Sequence, residues 1–336
     1  MSTRNPSTTW LAAAVVAVAA RGAFAFDLQG HRGARGLLPE NTLPAFERAL
    51  QLGVTTLELD VGVTADGVVV VAHDPYLNPI ITRDAAGQWL AGTRGPLLKS
   101  LTLAQLQAYD VGRIKPDTPY ARTFDVQQAR DGTRIPTLAQ VFDLVKARNA
   151  SHVRLNIETK INPGQPGDTV AADAMAQALV KAVRDAGMTP RVAIQSFDWR
   201  TLQAVRRLDP AIPTVCLTIQ TASNDNTRDG TWTLGMKLAE LGSAPKMARA
   251  AGCAVWSGDG GAITQPLVRE AQSLGLKVIP WTINDPADMD RMIGWGVDGL
   301  ITDYPDRLRE VMARHGMPLP PAVAPQVTSS PPPRVP

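Results

Sequence analysis

The sequence predicts an α/β protein built as a single (β/α)₈ TIM barrel, with a small insertion after the second strand. Short apolar runs alternate with amphipathic segments along most of its 336 residues, which is typical of βα units and a parallel sheet. The apolar runs number eight, as a closed barrel requires, and such barrels commonly span ~250 residues. Polar residues follow several of the runs, where the active site of such a barrel lies.

The elements can be placed in order. The predicted strands are 27–30, 56–60, 153–158, 192–196, 214–218, 254–257, 277–282 and 299–302. The predicted helices are 43–52, 138–148, 170–186, 198–208, 236–251, 265–274, 286–295 and 305–314. Helix starts carry their expected signals, such as Asp285 before Pro286.

The carboxyl ends of the predicted strands test the barrel hypothesis. His31 follows the first strand, and Glu58 and Asp60 end the second. The other polar or amphipathic residues at these ends are Glu158, Lys160, Gln195, Trp281 and Asp303. Because parallel strands end at one rim, these side chains are expected to meet there.

The segment 75–133 breaks the alternation. A hairpin is predicted between the end of strand two and residues 68–72, because Asp66-Gly67 is a strong turn signal. The following residues are rich in Pro, Gly, Arg and Asp with weak periodicity. An excursion of this length in a compact domain is usually functional.

The first 25 residues read as a secretory signal peptide. An apolar run at 11–20 follows Arg4 and is too short to span a bilayer, which needs ~20 residues. A small-x-small motif ends at Ala25, so the mature chain is predicted to start at Phe26 and to be exported, periplasmic or secreted. The alternative is an uncleaved membrane anchor; after cleavage no stable membrane insertion is expected.

The domain organisation that follows is a signal peptide at 1–25, a barrel domain at 26–315 with its insertion at 75–133, and a Pro-rich disordered tail at 316–336. The formal charge is +3, and the two arginines of the signal peptide leave +1 on the mature chain. This balance gives no electrostatic case for nucleic acid.

Only two cysteines occur, Cys216 and Cys253, each in or beside an apolar run. A disulfide is one interpretation in an oxidising compartment, and two buried thiols are the other. The oligomeric state is left open.

Two of the four histidines, His31 and His73, lie within 44 residues of chain that also hold several carboxylates. Phosphodiester hydrolysis needs a proton acceptor and a proton donor, and an imidazole titrates near neutral pH. These two residues are therefore the candidate acid–base pair. His152 and His315 lie away from this segment and are taken as bystanders.

Glu58 and Asp60 stand two apart on a strand, so their side chains share one face. Two inward carboxylates repel each other unless a cation lies between them. With Glu158 they form a candidate site for Ca²⁺ or Mg²⁺, which prefer oxygen ligands. The alternative is a metal-free network in which Arg32 and Lys160 neutralise the carboxylates.

Arg32 can contact two phosphate oxygens through its planar guanidinium. Lys160 shares a strand face with Glu158 and can add a second positive group, or can be a solvated strand end. Glu40 and Asn41 precede the first helix. Asn41 or Thr42 can serve simply as its N-cap.

The order H-R at 31–32, E-N at 40–41, E-x-D at 58–60 and H-D at 73–74 closely resembles the signature of the glycerophosphodiester phosphodiesterase family. Weaker likeness extends over about residues 27–310, including W-T-x-N at 281–284 and a lysine after the strand-three glutamate. The family also carries a small insertion beside its active site, which here can shape the pocket for the alcohol half of the substrate.

The resemblance implies metal-dependent hydrolysis of glycerophosphodiesters to sn-glycerol 3-phosphate and an alcohol. His31 and His73 would act on opposite sides of the phosphorus, with Glu40 and Asn41 supporting the site. Lys160, Gln195, Phe197 and Trp281 would join Arg32 in contacting substrate. Attack by the glycerol hydroxyl, through a cyclic phosphate, and attack by metal-activated water are both open.

Two other functions are alternatives to this hydrolysis. A phospholipase D-like activity on lysophospholipid or sphingomyelin would need an exposed apolar docking surface, whereas the insertion is polar. A periplasmic protein that binds a phosphodiester without cleaving it would have little use for two titrating imidazoles.

Overall fold

A computed structural model describes residues 26–324 of the chain. Within that range eight parallel strands form the barrel, and one short strand pairs antiparallel with the second of them. The strands are β1 Asp27–Gly30, β2 Thr56–Val63, β3 Val69–Val71, β4 Arg154–Thr159, β5 Val192–Ser196, β6 Thr214–Thr218, β7 Val255–Gly258, β8 Lys277–Val278 and β9 Gly299–Thr302. The predicted (β/α)₈ barrel is confirmed.

The barrel strands follow the order β8-β7-β6-β5-β4-β2-β1-β9. The two ends of this path meet through backbone hydrogen bonds. The Asp298 N–H donates to the Val278 carbonyl (2.9 Å), and the Ile301 N–H donates to the Pro280 carbonyl (2.9 Å). The sheet therefore closes, and the carboxyl ends of its eight parallel strands lie at one rim.

Helices lie between the strands in sequence, and most of them cover the outside of the barrel. They are α1 Leu43–Leu52, α2 Leu103–Leu106, α3 Pro119–Thr123, α4 Leu138–Ala147, α5 Ala172–Asp185, α6 Trp199–Leu208, α7 Leu238–Leu241, α8 Ala244–Ala250, α9 Gln265–Ser273, α10 Pro286–Trp295 and α11 Pro305–Arg314. Side chains of Thr42, Asp198 and Asp285 cap three of them. Their apolar faces bury the outward side chains of the strands in one core.

Two elements differ from the prediction. The strand predicted at 277–282 ends at Val278, because Pro280 has no N–H to donate to a ladder. The helix predicted at 236–251 is two helices, α7 and α8. Gly242 takes a left-handed conformation between them (φ 83°), and Ser243 caps the second helix.

The insertion has its own small core. The predicted hairpin forms, since β3 pairs with residues 61–63 of β2. After it, buried side chains of Leu77, Leu98, Leu106 and Val111 cluster with one face of the hairpin. The insertion also contains helices α2 and α3, which the weak periodicity did not reveal. It is folded against the rim of the barrel rather than left as an open loop.

The two ends of the chain are only partly described. The predicted signal peptide lies outside the described residues, as do residues 325–336 of the predicted tail. Earlier in that tail, Val323 donates its N–H to the Leu50 carbonyl (2.9 Å), so residues 316–324 lie against α1. In residues 26–324 we find no helix with the length and apolarity needed to cross a membrane.

Cys216 on β6 and Cys253 before β7 form a disulfide. Both residues are buried, at 0% and 3% exposure. Of the two interpretations that the sequence left open, the structure has the disulfide.

Candidate active site

Three carboxylates from neighbouring strands converge inside the rim. Asp60 of β2 is paired in register with Glu158 of β4, and Glu58 lies two residues earlier on the same face. One oxygen of each lies within 4.8 Å of the others, and all three residues are buried. The predicted acidic cluster is therefore assembled by strand register.

Crowding changes how these acids titrate. Burial, Asp60 and Glu158 together raise the pKa of Glu58 well above its usual value. Burial, the largest influence, also raises the pKa of Glu158 to about 7, although Lys160 opposes the change. Asp60 differs: despite burial, Lys160 and Arg32 hold its pKa below the usual range. Without a cation, the cluster favours protonation of some of its members.

Two cations flank the acidic cluster. Lys160 Nζ lies 2.6 Å from Glu158 Oε1 and 3.6 Å from Asp60 Oδ1. Although burial lowers its pKa, these two carboxylates raise it above the usual value, so the amine stays charged. Arg32 Nη1 donates to Glu40 Oε1 (2.6 Å), and its Nε lies 3.3 Å from Asp60 Oδ2.

The loop after β1 brings Arg32 into this position. Its backbone has a positive φ of 49°, which is uncommon for a residue with a side chain. The conformation lets the Arg32 N–H donate to Glu58 Oε2 (2.8 Å). Gly33 follows with φ 86°, and a Cβ there would meet the Ala45 carbonyl carbon at 2.8 Å. A glycine is needed here because the loop touches helix α1.

His31 lies beside the cluster, in contact with Asp303. Its Nδ1 lies 2.7 Å from Asp303 Oδ1, and its Nε2 lies 3.9 Å from Glu58 Oε2. Burial, helped by Arg35, lowers the His31 pKa to about 4. The imidazole is thus neutral near pH 7, with a proton on Nδ1 for the carboxylate and a bare Nε2 facing the cluster.

His73 has a similar partner. Its Nδ1 lies 3.1 Å from Asp74 Oδ1, and Asn78 donates to the other oxygen of Asp74 (2.8 Å). Burial, Arg32 and Lys160 lower the His73 pKa. Each histidine of the predicted pair therefore has a carboxylate on Nδ1 and can exchange a proton through Nε2.

Glu40 and Asn41 take different roles from the simple helix cap. Thr42 is the N-cap of α1. Asn41 instead donates from Nδ2 to Asp60 Oδ2 (2.8 Å), and its Oδ1 accepts from the Asp60 N–H (3.3 Å). Glu40 holds Arg32 and also accepts from the Tyr120 hydroxyl. Both residues of the E-N pair thus contact members of the site.

Gln195 is buried beside the acidic cluster, and the substrate contact predicted for it stays a prediction. Its Nε2 donates to Glu58 Oε1 (2.7 Å). Its own oxygen accepts from Asn156 Nδ2 (2.9 Å), which also donates to Gln29 (2.9 Å). These bonds orient the amide of Gln195, which donates to a candidate metal ligand.

Phe197 and Trp281 are half-buried and form an edge-to-face pair with ring centroids 5.3 Å apart. The Trp281 Nε1–H donates to the Ser257 carbonyl (3.1 Å), which fixes the ring. Lys160 Nζ lies 5.9 Å from the Phe197 centroid. The two rings therefore provide an apolar wall beside the charged groups.

The structure gives roles to residues that the sequence analysis named without one, Asp303, Asp74 and Asn284. It also brings in two that the sequence analysis did not single out, Arg35 and Tyr120. Asp303 accepts from Arg35 Nε (2.8 Å), Arg35 Nη2 (2.9 Å) and Asn284 Nδ2 (2.7 Å). Its position after the last strand was a usable signal. Tyr120 gave none, because it lies in the irregular insertion.

The residues fit a hard divalent cation. The donor set is three buried carboxylates, the ligand type that Ca²⁺ and Mg²⁺ prefer. Among the described residues, Asp60 Oδ1 has no hydrogen-bond partner although it is buried, and a buried acceptor of this kind requires one. The cluster could hold a metal through Glu58, Asp60 and Glu158.

Comparison with known proteins agrees with this geometry. Residues 31–307 match the model of the glycerophosphoryl diester phosphodiesterase family. A glycerophosphodiester phosphodiesterase of Caldanaerobacter subterraneus is 30% identical over 286 residues, covering 85% of this chain and 97% of its own.

Solved structures share the fold. A Silicibacter pomeroyi protein with a provisional glycerophosphoryl diester phosphodiesterase name superposes with a TM-score of 0.79 at 37% identity, covering 88% of this chain and 96% of its own. An Oleispira antarctica phosphodiesterase was solved with the product sn-glycerol-3-phosphate. It superposes with a TM-score of 0.62 at 22% identity, covering 85% of this chain and 96% of its own. The chain therefore belongs to the glycerophosphoryl diester phosphodiesterase family of enzymes.

Proposed function

We propose that this enzyme hydrolyses glycerophosphodiesters to sn-glycerol 3-phosphate and an alcohol, in a metal-dependent reaction with two histidines as acid and base. One observation carries the proposal: His31 Nε2 faces the acidic cluster at 3.9 Å from Glu58, while Asp303 occupies its Nδ1. An imidazole held in this way is prepared for proton transfer.

Glu58, Asp60 and Glu158 would hold the cation, Ca²⁺ or Mg²⁺. When bound, it would polarise a phosphoryl oxygen and neutralise charge. Arg32 and Lys160 lie on either side of Asp60 and would bind the remaining phosphate oxygens. Because Glu40 and Glu158 already hold these cations in place, little reorganisation is needed when a phosphate arrives.

His31 and His73 would share the proton transfers. One takes the proton of the attacking hydroxyl, and the other gives a proton to the departing alkoxide on the opposite side of the phosphorus. Their lowered pKa values favour the neutral imidazole, so the base is available at neutral pH. The histidine that acts as acid would first take up a proton on Nε2, which the negative charge of a bound phosphodiester would favour. The attacking group is either the glycerol hydroxyl or water, and detection of a cyclic glycerophosphate by ³¹P NMR would indicate the first route.

The substrate assignment is a small, water-soluble diester such as glycerophosphocholine. The family's name and that of the Caldanaerobacter relative support it. The half-buried pair Phe197 and Trp281 is suited to the apolar edge of a glycerol backbone. Within residues 26–324 the large exposed apolar residues are Val126, Leu208 and Leu319, which are scattered along the chain and suggest no lipid-docking surface.

We also propose that the enzyme is exported, to the periplasm or the medium. The signal-like segment before Phe26 supports this, as does the disulfide between Cys216 and Cys253, a bond typical of oxidising compartments. Mass spectrometry of the mature protein tests it. An N-terminus at Phe26 in the exported fraction is expected, and an intact chain in the membrane fraction would favour the anchor instead.

The activity is tested by measuring glycerol 3-phosphate release from glycerophosphocholine by the purified mature chain. Turnover with Ca²⁺ or Mg²⁺ should be lost in EDTA and in His31→Ala. His315→Ala is the matched control, because His315 is paired with Asp290 on the surface. Absence of turnover with either metal would refute the proposed substrate, and release of choline from lysophosphatidylcholine would replace it with the lipid activity. Turnover unaffected by EDTA would favour the metal-free network.

A further inference from the structure

A side chain of the insertion supports the loop between β1 and α1, which carries Arg32 and Glu40. Tyr120 lies on α3, 80 residues from Glu40, and its hydroxyl donates to Glu40 Oε2. The other oxygen of Glu40 accepts from Arg32 Nη1 (2.6 Å). The carboxylate of Glu40 thus links the phenol to the Arg32 guanidinium, which is proposed to bind phosphate.

The same hydroxyl reaches the other half of the site. Arg35 Nη1 lies 3.5 Å from the Tyr120 oxygen and can donate to it. Arg35 also donates twice to Asp303, the partner of His31. A continuous path of contacts therefore joins His31 to Arg32, and Tyr120 is its middle member.

The segment that carries Tyr120 is anchored on the loop it contacts. The Gln127 amide donates to the Arg35 carbonyl (2.7 Å), and the Gln128 N–H donates to the Leu37 carbonyl (2.9 Å). The Arg35 guanidinium lies 4.7 Å from the centroid of Phe124. Because several contacts dock this segment independently of the hydroxyl, removing the hydroxyl alone should leave the segment in place.

The Tyr120 phenol stays protonated at neutral pH and so can donate. Burial, and then the negative charge of Glu40, raise the pKa of Tyr120 well above its usual value. Glu40 in turn keeps a lowered pKa despite burial, because Arg32 and Arg35 stabilise its charge. A neutral donor, a charged acceptor and a charged guanidinium form a chain of charge-assisted hydrogen bonds.

We propose that Tyr120 is a positioning residue: by holding Glu40, it fixes the Arg32 guanidinium in the orientation that receives the substrate phosphate. This inference rests on the proposed function, since it assumes that Arg32 binds phosphate. It gives the insertion a role in catalysis and not only in shaping a pocket.

The test is a double-mutant cycle between Tyr120→Phe and Glu40→Gln, read as kcat/KM on glycerophosphocholine and as Ki for inorganic phosphate. Loss of one hydrogen bond to a charged group should lower kcat/KM about tenfold to a hundredfold. The phosphate Ki should rise in parallel. In the Glu40→Gln background the same change should cost much less, because the two residues act through one contact.

Tyr109→Phe is the matched control, because Tyr109 lies in the same insertion and packs on its small core. Its kinetics should equal those of the wild type, and the melting temperature of Tyr120→Phe should stay within a few degrees of the wild type. Unchanged kcat/KM and Ki in Tyr120→Phe, or additive effects with Glu40→Gln, would overturn the proposal. Failure of the wild type to turn over the substrate would refute the proposed function instead, so the two failures are distinguishable.

Discussion

His31 Nδ1 and Asp303 Oδ1 lie 2.7 Å apart, although 272 residues separate them in the sequence. Each residue directly follows a strand, and the two strands pair in register, with Gly30 of β1 opposite Thr302 of β9. Closure of the barrel therefore creates the contact. The carboxylate decides which imidazole nitrogen carries the proton and so which one faces the acidic cluster.

Replacing this carboxylate by an amide should impair catalysis more than binding. In Asp303→Asn a single acceptor oxygen would meet donors from His31, Arg35 and Asn284, so the imidazole loses its fixed tautomer. We expect kcat to fall by roughly 100-fold or more, with a smaller change in KM. Steady-state kinetics check this, with Asp288→Asn on the surface as control. An unchanged kcat would show that Asp303 does not orient the base.

Burial of neutral His31 should make stability depend on pH. Its pKa falls from 6.5 to about 4 on folding, because burial, aided by Arg35, penalises the charged form. The unfolded chain therefore binds the proton more readily than the folded one. The contribution of neutral His31 to the free energy of unfolding is fully present above pH 6.5 and is lost as pH falls towards 4. The change corresponds to roughly 3 kcal/mol.

The measurement is the free energy of unfolding by urea, in EDTA, at pH 7 and pH 4.5. The wild type should lose more stability over this interval than His31→Gln, which has no imidazole to protonate. Parallel pH profiles for the two proteins would contradict the assignment of a neutral, buried imidazole.

Removing one charge from the acidic cluster should weaken metal binding without destabilising the fold. Glu158→Gln keeps an oxygen to accept from Lys160 while taking away a carboxylate that burial makes costly. Calcium should stabilise the wild type by about 3 kcal/mol at a hundredfold excess over its Kd, and the variant by much less.

The measurement is the melting temperature of the wild type and of Glu158→Gln, each with Ca²⁺ and with EDTA. In EDTA the variant should be as stable as the wild type or more so. Equal calcium-induced shifts in both proteins would show that Glu158 is not a ligand, and no shift in either would favour the metal-free network.

The disulfide should contribute substantially to stability. It closes a loop between residues 37 positions apart, for which the chain-entropy model gives about 4 kcal/mol. Double replacement of Cys216 and Cys253 by alanine should lower the free energy of unfolding by about 2–4 kcal/mol. Kinetics with glycerophosphocholine should be retained, and a stability equal to that of the wild type would argue that the thiols are unpaired.

Much of the site was predictable because barrels place functional groups at strand ends. The position of Glu58 and Asp60 on one strand, and of Glu158 on the next, followed from the alternation of side chains and the parallel order. Gln195 was placed at the correct strand end, but its bonds to Glu58 and Asn156 could not be predicted, since they depend on neighbours from other strands.

The barrel, its eight strands and the residue types of the site could be predicted from the amino-acid sequence, because apolar periodicity and local turn signals are encoded over short stretches. The partner of each of these residues became known from the three-dimensional fold alone. Asp303 meets His31 through closure of the barrel, and Tyr120 meets Glu40 through docking of an irregular insertion. Such long-range contacts arise from packing and register across the whole chain, and no local pattern records them.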